Sequence, residues 1–197
     1  MSATSQPFGL RPAFFPTGLE RAQALYNGIP SGYAENIFKG SAVYYAPGTG
    51  HIEPVLATTD LVSGSFQGAQ WTDTNGRLRV SNFWPANTPY IEGAAPGSQM
   101  IAYFYNDQQI VYEIQTSATI DQTSIGDEFN FSNINAGNTT TGLSTMTLNP
   151  AGVGSGEQGQ VRVVDISFYP DNAWGDPFVI VRVQMANTQF VAPSTAI

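Results

Sequence analysis

The sequence predicts an all-β protein, a β-barrel or β-sandwich with an extended amino-terminal arm and long polar loops. Three observations predict it. Short runs alternate apolar and polar residues with period two, turn residues separate those runs throughout, and few segments show helical periodicity. The 197 residues suit one domain able to bury a sizeable core. The expected division is an arm over residues 1–19, a single β-rich domain over 20–185 and an extended tail over 186–197.

The arm comes first. Pro7-Phe8-Gly9-Leu10-Arg11-Pro12-Ala13-Phe14-Phe15-Pro16 holds three prolines in ten residues, which blocks a helix and a central strand alike. Yet Phe8, Leu10, Phe14 and Phe15 are too apolar to lie free in water. Such an arm lies either on a neighbouring protein or on its own domain. The first option makes Pro7, Phe8, Leu10, Arg11, Pro12, Phe14 and Phe15 candidate partner contacts and predicts that residues 1–16 can be removed without unfolding the rest.

Glu20 to Ile29 fits a strand or a short helical turn. Ala34 to Tyr45 reads as a strand with Gly40 as a candidate bulge, and Pro47-Gly48-Thr49-Gly50 turns it back through His51 to Ala57. Between Ser65 and Pro85, Asp73-Thr74-Asn75-Gly76 separates two alternating runs. Asn-Gly favours a hairpin there because both positions tolerate positive φ. A second hairpin is expected over Met100 to Thr119, with Ile101, Tyr103 and Tyr105 alternating before Asn106-Asp107-Gln108 and Ile110, Tyr112 and Ile114 after it. Glu113 and Gln115 would then occupy a wet face. From Asp121 to Gly159 the chain reads mainly as polar loops, including Asn135 to Gly142 and Asn149 to Gly159, with a short strand over Leu143 to Leu148. Gln160 to Phe168 and Phe178 to Met185 read as two core strands.

Composition narrows the function. Only 11% of the residues are charged, against about 25% in an ordinary soluble domain. Phe 12, Tyr 9 and Trp 3 exclude a disordered composition. An amide- and hydroxyl-rich surface of this kind suits broad contact with other subunits. The net charge is −8, and Lys39 is the sole lysine beside six scattered arginines. That balance argues against nucleic acid and against an anionic membrane surface. The absence of cysteine removes disulfides, thiolate metal sites and thiol catalysis. No signal peptide is expected from Met1 to Gln6, and no apolar run approaches the roughly 20 residues that cross a bilayer. Synthesis in a cytoplasm is expected, with exit by lysis or assembly.

Reactive chemistry finds little support, and no enzyme, cofactor or metal site is expected. His51 is the only histidine, so any Ser-His-Asp triad must use it, and no Gly-x-Ser-x-Gly elbow accompanies it. Asp121 with Asp127 and Glu128, or Asp171 with Asp176, could supply a glycosidase pair, but solvated turn carboxylates are commoner. No calcium loop or phosphate loop is present. Trp71, Trp84 and Trp174 raise a carbohydrate-binding alternative, against which stands the usual burial of tryptophan in cores and interfaces.

Several segments taken in order resemble a family of phage virion structural proteins, where placed known as head decoration or capsid cement proteins. They are Phe8-Gly9-Leu10-Arg11-Pro12, Ser31-Gly32-Tyr33-Ala34, Ile37 through Val43, and Phe66-Gln67-Gly68 with Trp71-Thr72-Asp73. Ser81-Asn82-Phe83-Trp84-Pro85, Asp165-Ile166 and Pro170-Asp171-Asn172-Ala173-Trp174-Gly175-Asp176 complete the set. Each motif is short and none is a catalytic signature; Gly126 to Gly159 is the least matched. The resemblance implies a protein on the outer surface of a phage capsid that clamps neighbouring major capsid proteins, as a homo-oligomer such as a dimer or trimer. A tail-tube or head–tail connector subunit is the alternative within the virion.

Overall fold

A computed structural model describes residues 2–18, 21–93 and 99–190. Its strands are β1 (Arg11–Phe14), β2 (Gln23–Tyr26), β3 (Ala42–Tyr45), β4 (Ile52–Pro54), β5 (Gly64–Thr72), β6 (Leu78–Ser81), β7 (Ile101–Tyr105) and β8 (Val111–Gln115). There follow β9 (Glu128–Ser132), β10 (Gly137–Asn138), β11 (Leu143–Ser144), β12 (Thr147–Gly152), β13 (Val161–Ile166) and β14 (Ile180–Met185). The helical content of the described residues is one short 3₁₀ turn, Gln122–Ser124.

Among the described residues the strands form two antiparallel six-stranded sheets and a small β10–β11 ribbon. The first sheet runs β1-β8-β14-β13-β9-β12. The second runs β2-β7-β5-β3-β4, with β6 also paired to β5. Neither closes on itself, so the fold is the sandwich and not the barrel.

Two apolar cores result, one on each side of the second sheet. Tyr112, Ile114, Phe129, Phe131, Val161, Val163, Val181 and Val183 face inward from the first sheet and meet Ala42, Tyr44 and Tyr105. Val43, Phe66, Ala69, Trp71, Ala102 and Phe104 point the opposite way and pack under Ile29, Ile37, Trp84, Tyr90 and Met100. Adjacent residues such as Ala42 and Val43 thus enter different cores, as strand alternation requires. The second sheet is covered by strands on one face and by connecting segments on the other.

Several sequence expectations change. The Asp73 turn does close the β5–β6 hairpin, but only Gly76 takes positive φ (76°); Asn75 does not. Asp73 organises the turn instead, its Oδ1 accepting the N–H groups of Asn75 (3.0 Å) and Arg77 (2.9 Å). The second hairpin does not form: β7 joins the second sheet and β8 the first. Asn106 to Ile110 therefore carries the chain across the sandwich. Glu113 and Gln115 are buried, because the arm covers the face that was expected to be wet.

A further change lies between Asp121 and Gly159. Here β9 and β12 add two central or edge strands, and Phe129 and Phe131 enter the core from β9. In the tail, Thr188 bridges to Val62, and the Gln189 side-chain amide both accepts from the Tyr45 N–H and donates to the Tyr45 carbonyl, each at 2.7 Å. Residues 191–197 of the expected tail, with 1, 19 and 20 of the expected arm and domain boundary, lie outside the described residues.

Candidate interaction surface

The arm lies on its own domain. Its first anchor is Leu10, fully buried in the core between the sheets. The Leu10 N–H donates to Gly40 O at 2.8 Å, and Ser65 Oγ donates to Leu10 O at 2.8 Å. Gly9 and Gly40 make this crossing possible. Gly9 has φ +71° and a Cβ there would sit 2.4 Å from Gly40 O; Gly40 has φ +87° and a Cβ there would sit 2.6 Å from Phe8 O.

Beyond the crossing, Arg11–Phe14 pairs with β8 as the outermost strand of the first sheet. An edge strand is the one place in a sheet that tolerates Pro12. Arg11 then reaches over β8 to Glu113, with Nη2 to Oε2 at 2.7 Å, and its guanidinium lies 4.3 Å from the centre of the Phe8 ring. Arg11 Nη2 also donates to Tyr169 Oη (2.9 Å), and that hydroxyl donates to Glu113 Oε2 (2.8 Å). Burial pushes the Glu113 carboxyl up, but the hydrogen bonds from Arg11 and Tyr169 outweigh it, and the carboxyl titrates below the ordinary glutamate value. Further toward the start, Gln6 N–H donates to Gln115 Oε1 (2.8 Å) and Gln115 Nε2 donates to Thr4 O (3.0 Å).

The seven candidate contacts therefore have different fates. Leu10 is internal. Pro7, Phe8, Pro12 and Phe15 are half-buried, and Phe15 packs edge-on against Tyr105. Arg11 is exposed but engaged with Glu113, and Phe14 is open to solvent. Removing residues 1–16 would strip a strand and a core leucine, so the arm is part of the domain and its loss would destabilise the fold.

A second region stands open in its place. Register sets Val80 opposite Gln70, Gln70 opposite Ile101, and Ile101 opposite Tyr26. The four form one row on one face, across β6, β5, β7 and β2. Leu78, opposite Thr72, stands two residues along on the same face. Tyr105 shares that face further down β7 and packs into the core between the sheets. The row lies on the inner-facing side of the second sheet; Ile101 within it and Thr72 beside it are buried, and the exposed apolar positions flank them. Tyr26, Leu78 and Val80 are 61%, 56% and 72% exposed. This apolar ledge ends on β6, which among the described residues pairs with β5 alone. Sequence reasoning placed β6 correctly and gave no reason to single out Leu78 and Val80, because alternation alone marks them as ordinary inward residues.

The remaining candidates occupy structural roles. Glu128 is buried beneath Arg162 (2.6 Å) and accepts the Gly159 N–H (2.9 Å), while Asp121 and Asp127 are exposed. Asp176 accepts from Ser2 Oγ and from Ala173 N–H, the Ser2 bond first among the causes that hold its carboxyl below the ordinary aspartate value. His51 Nδ1 lies 2.8 Å from Asn27 O on the turn after β3. Trp71 and Trp84 are buried and meet edge-on at 5.2 Å; Trp174 is half-buried against the core between the sheets. No cluster of three or more His, Asp or Glu side chains able to hold a metal occurs among the described residues. No helix among them is long and apolar enough to cross a membrane.

The geometry defines an all-β sandwich with a docked arm and exposed apolar positions on β2 and β6. No family model, curated protein or solved structure matches the chain.

Proposed function

We propose that this chain is a phage capsid decoration protein, bound to the outer surface of the head and clamping neighbouring major capsid proteins. The observation that carries the reading is the exposure of Tyr26, Leu78 and Val80 on one face of a sheet. Three large apolar side chains on one face, beside an open strand edge, form the centre of a protein–protein contact. The low charge of the chain suits such contacts, and the ordered motifs that resemble virion structural proteins are what supports a capsid partner. Association as a dimer or trimer belongs to the same proposal, through the strand edges that the two sheets leave free.

Linkage supplies the mechanism. A protein that binds the assembled lattice and not free subunits lowers the free energy of the lattice. A preformed ledge adds little ordering cost to that binding. The test is to add the purified chain to phage shells that lack it and to measure copies bound and the temperature at which shells rupture. High copy number with a raised rupture temperature supports cement. A small fixed number per particle would move the reading to a tail-tube or connector subunit, and no binding would overturn the virion reading.

A further inference from the structure

Beside the arm crossing lies a cavity of about 260 Å³, lined by Phe8, Leu10, Pro12 and Leu143 together with Lys39 and Gln67, among others. It is smaller than the roughly 300–1,000 Å³ of small-molecule and cofactor sites, so its volume suits a side chain better than a free metabolite. Its walls are fixed before any ligand arrives. Leu10 is anchored in the core, Gly9 and Gly40 interlock, and the Lys39 backbone is held on both sides: Lys39 N–H donates to Gly142 O (3.0 Å) and Ser144 N–H donates to Lys39 O (2.9 Å).

The cations at this cavity are unequal. Arg11 is already paired with Glu113. Lys39, the only lysine of a chain with net charge −8, is exposed and has no carboxylate within salt-bridge distance among the described residues. An apolar cavity with one unspent ammonium at its rim complements an apolar side chain next to a carboxylate. A phosphate-bearing ligand would call for several clustered cations, which this cavity lacks.

We propose that this cavity receives an acidic loop of the partner protein, with one aliphatic or aromatic side chain inserted between Phe8 and Leu143 and the neighbouring carboxylate on Lys39. The proposal rests on the capsid-binding reading for the identity of the partner, and it adds a second grip separate from the ledge. A clamp needs two grips, because one contact decorates a subunit without tying it to the next.

The test has two arms. In the first, shells lacking the protein are titrated with the full chain, with Lys39→Glu and with Lys39→Met. Lys39 is exposed, so both variants should melt with the wild type. Charge reversal should weaken shell binding about tenfold or more and the neutral variant less. Equal binding by all three would overturn the proposal. The second arm needs no shells. A capped Glu-Leu-Glu peptide is titrated into the isotope-labelled full chain and followed by NMR, with a capped Lys-Leu-Lys peptide and inorganic phosphate as comparators. Shifts centred on Lys39, Gln67 and Leu143 with the acidic peptide alone, lost in Lys39→Glu, are expected. No shift, the same shift in Lys39→Glu, or an equal response to either comparator would overturn the proposal. Failure of every protein to bind shells would remove the capsid reading and leave the peptide result to judge the cavity.

Discussion

The two sheets differ in how they are finished. The first is covered at β8: its inner face packs on the core, and its outer face there lies under the arm, with Glu113 tied to Arg11 and Tyr169, while Phe14 on β1 and Val164 on β13 stand exposed. The second is covered on one face by Ile29, Ile37, Trp84 and Tyr90, yet on its other face, on either side of buried Ile101 and Thr72, Tyr26, Leu78 and Val80 stand in water. The same alternating pattern builds both. What differs is whether a segment distant in sequence returns to cover the strand. The apolar arm, the segment whose composition most resembles an external strap, is the cover; a plain hairpin supplies the open surface.

Substitutions can break or sharpen this contrast. The largest effect belongs to Leu10→Ala, which empties a fully buried site and should cost about 2–5 kcal/mol in denaturant unfolding. A change near zero would mean that the arm is not seated. Gly9→Ala should follow, at about 1–3 kcal/mol, since it forces a side chain into positive φ against Gly40 O. An alanine that melts with the wild type would contradict the crossing.

Next comes Arg11→Ala, at about 1–2 kcal/mol, reduced because the arginine is half exposed while its partner Glu113 is buried. This ion pair also carries a pH signature. The folded-state pKa of Glu113 lies below its unfolded value, so its contribution is fully present above the ordinary glutamate pKa of about 4.3 and is lost as pH falls through the lowered folded value. Melting curves from pH 7 down to 3 should therefore show an acid-side loss that Glu113→Gln diminishes. The smallest effect on stability is expected for Leu78→Lys and Val80→Lys, within about 0.5 kcal/mol, because both side chains already face solvent.

The strand order in the two sheets was only partly legible from the chain. Val161, Val163, Val181 and Val183 announce β13 and β14 through β-branched alternation, and the two do pair. Trp71 to Arg79 announces the β5–β6 hairpin through its turn residues. Tyr105 to Val111 shows the limit: alternation on both sides of a turn fits a hairpin and a crossing between sheets equally well, and tertiary packing decides between them. Phe129 and Phe131 alternate cleanly in β9, but the surrounding Asn, Ser, Thr and Gly obscure them.

The candidate site was less legible than the fold. The arm residues were recognisable as apolar and proline-stiffened, but the landing place of Leu10 depends on Gly40 and Ser65, which are distant in the chain. The ledge depends on which positions of one sheet face stay exposed beside buried Ile101 and Thr72, a property of no local segment. Leu78 and Val80 have the same spacing as core residues and differ from them only in having nothing above them.

The most direct measurement is co-sedimentation of the purified chain with phage shells that lack it, comparing wild type with a variant carrying both Leu78→Lys and Val80→Lys. The wild type should pellet with the shells in high copy number, while the equally stable double variant stays in the supernatant. A wild type that stays in the supernatant, or a double variant that pellets as fully, would contradict the ledge as the surface that grips the capsid.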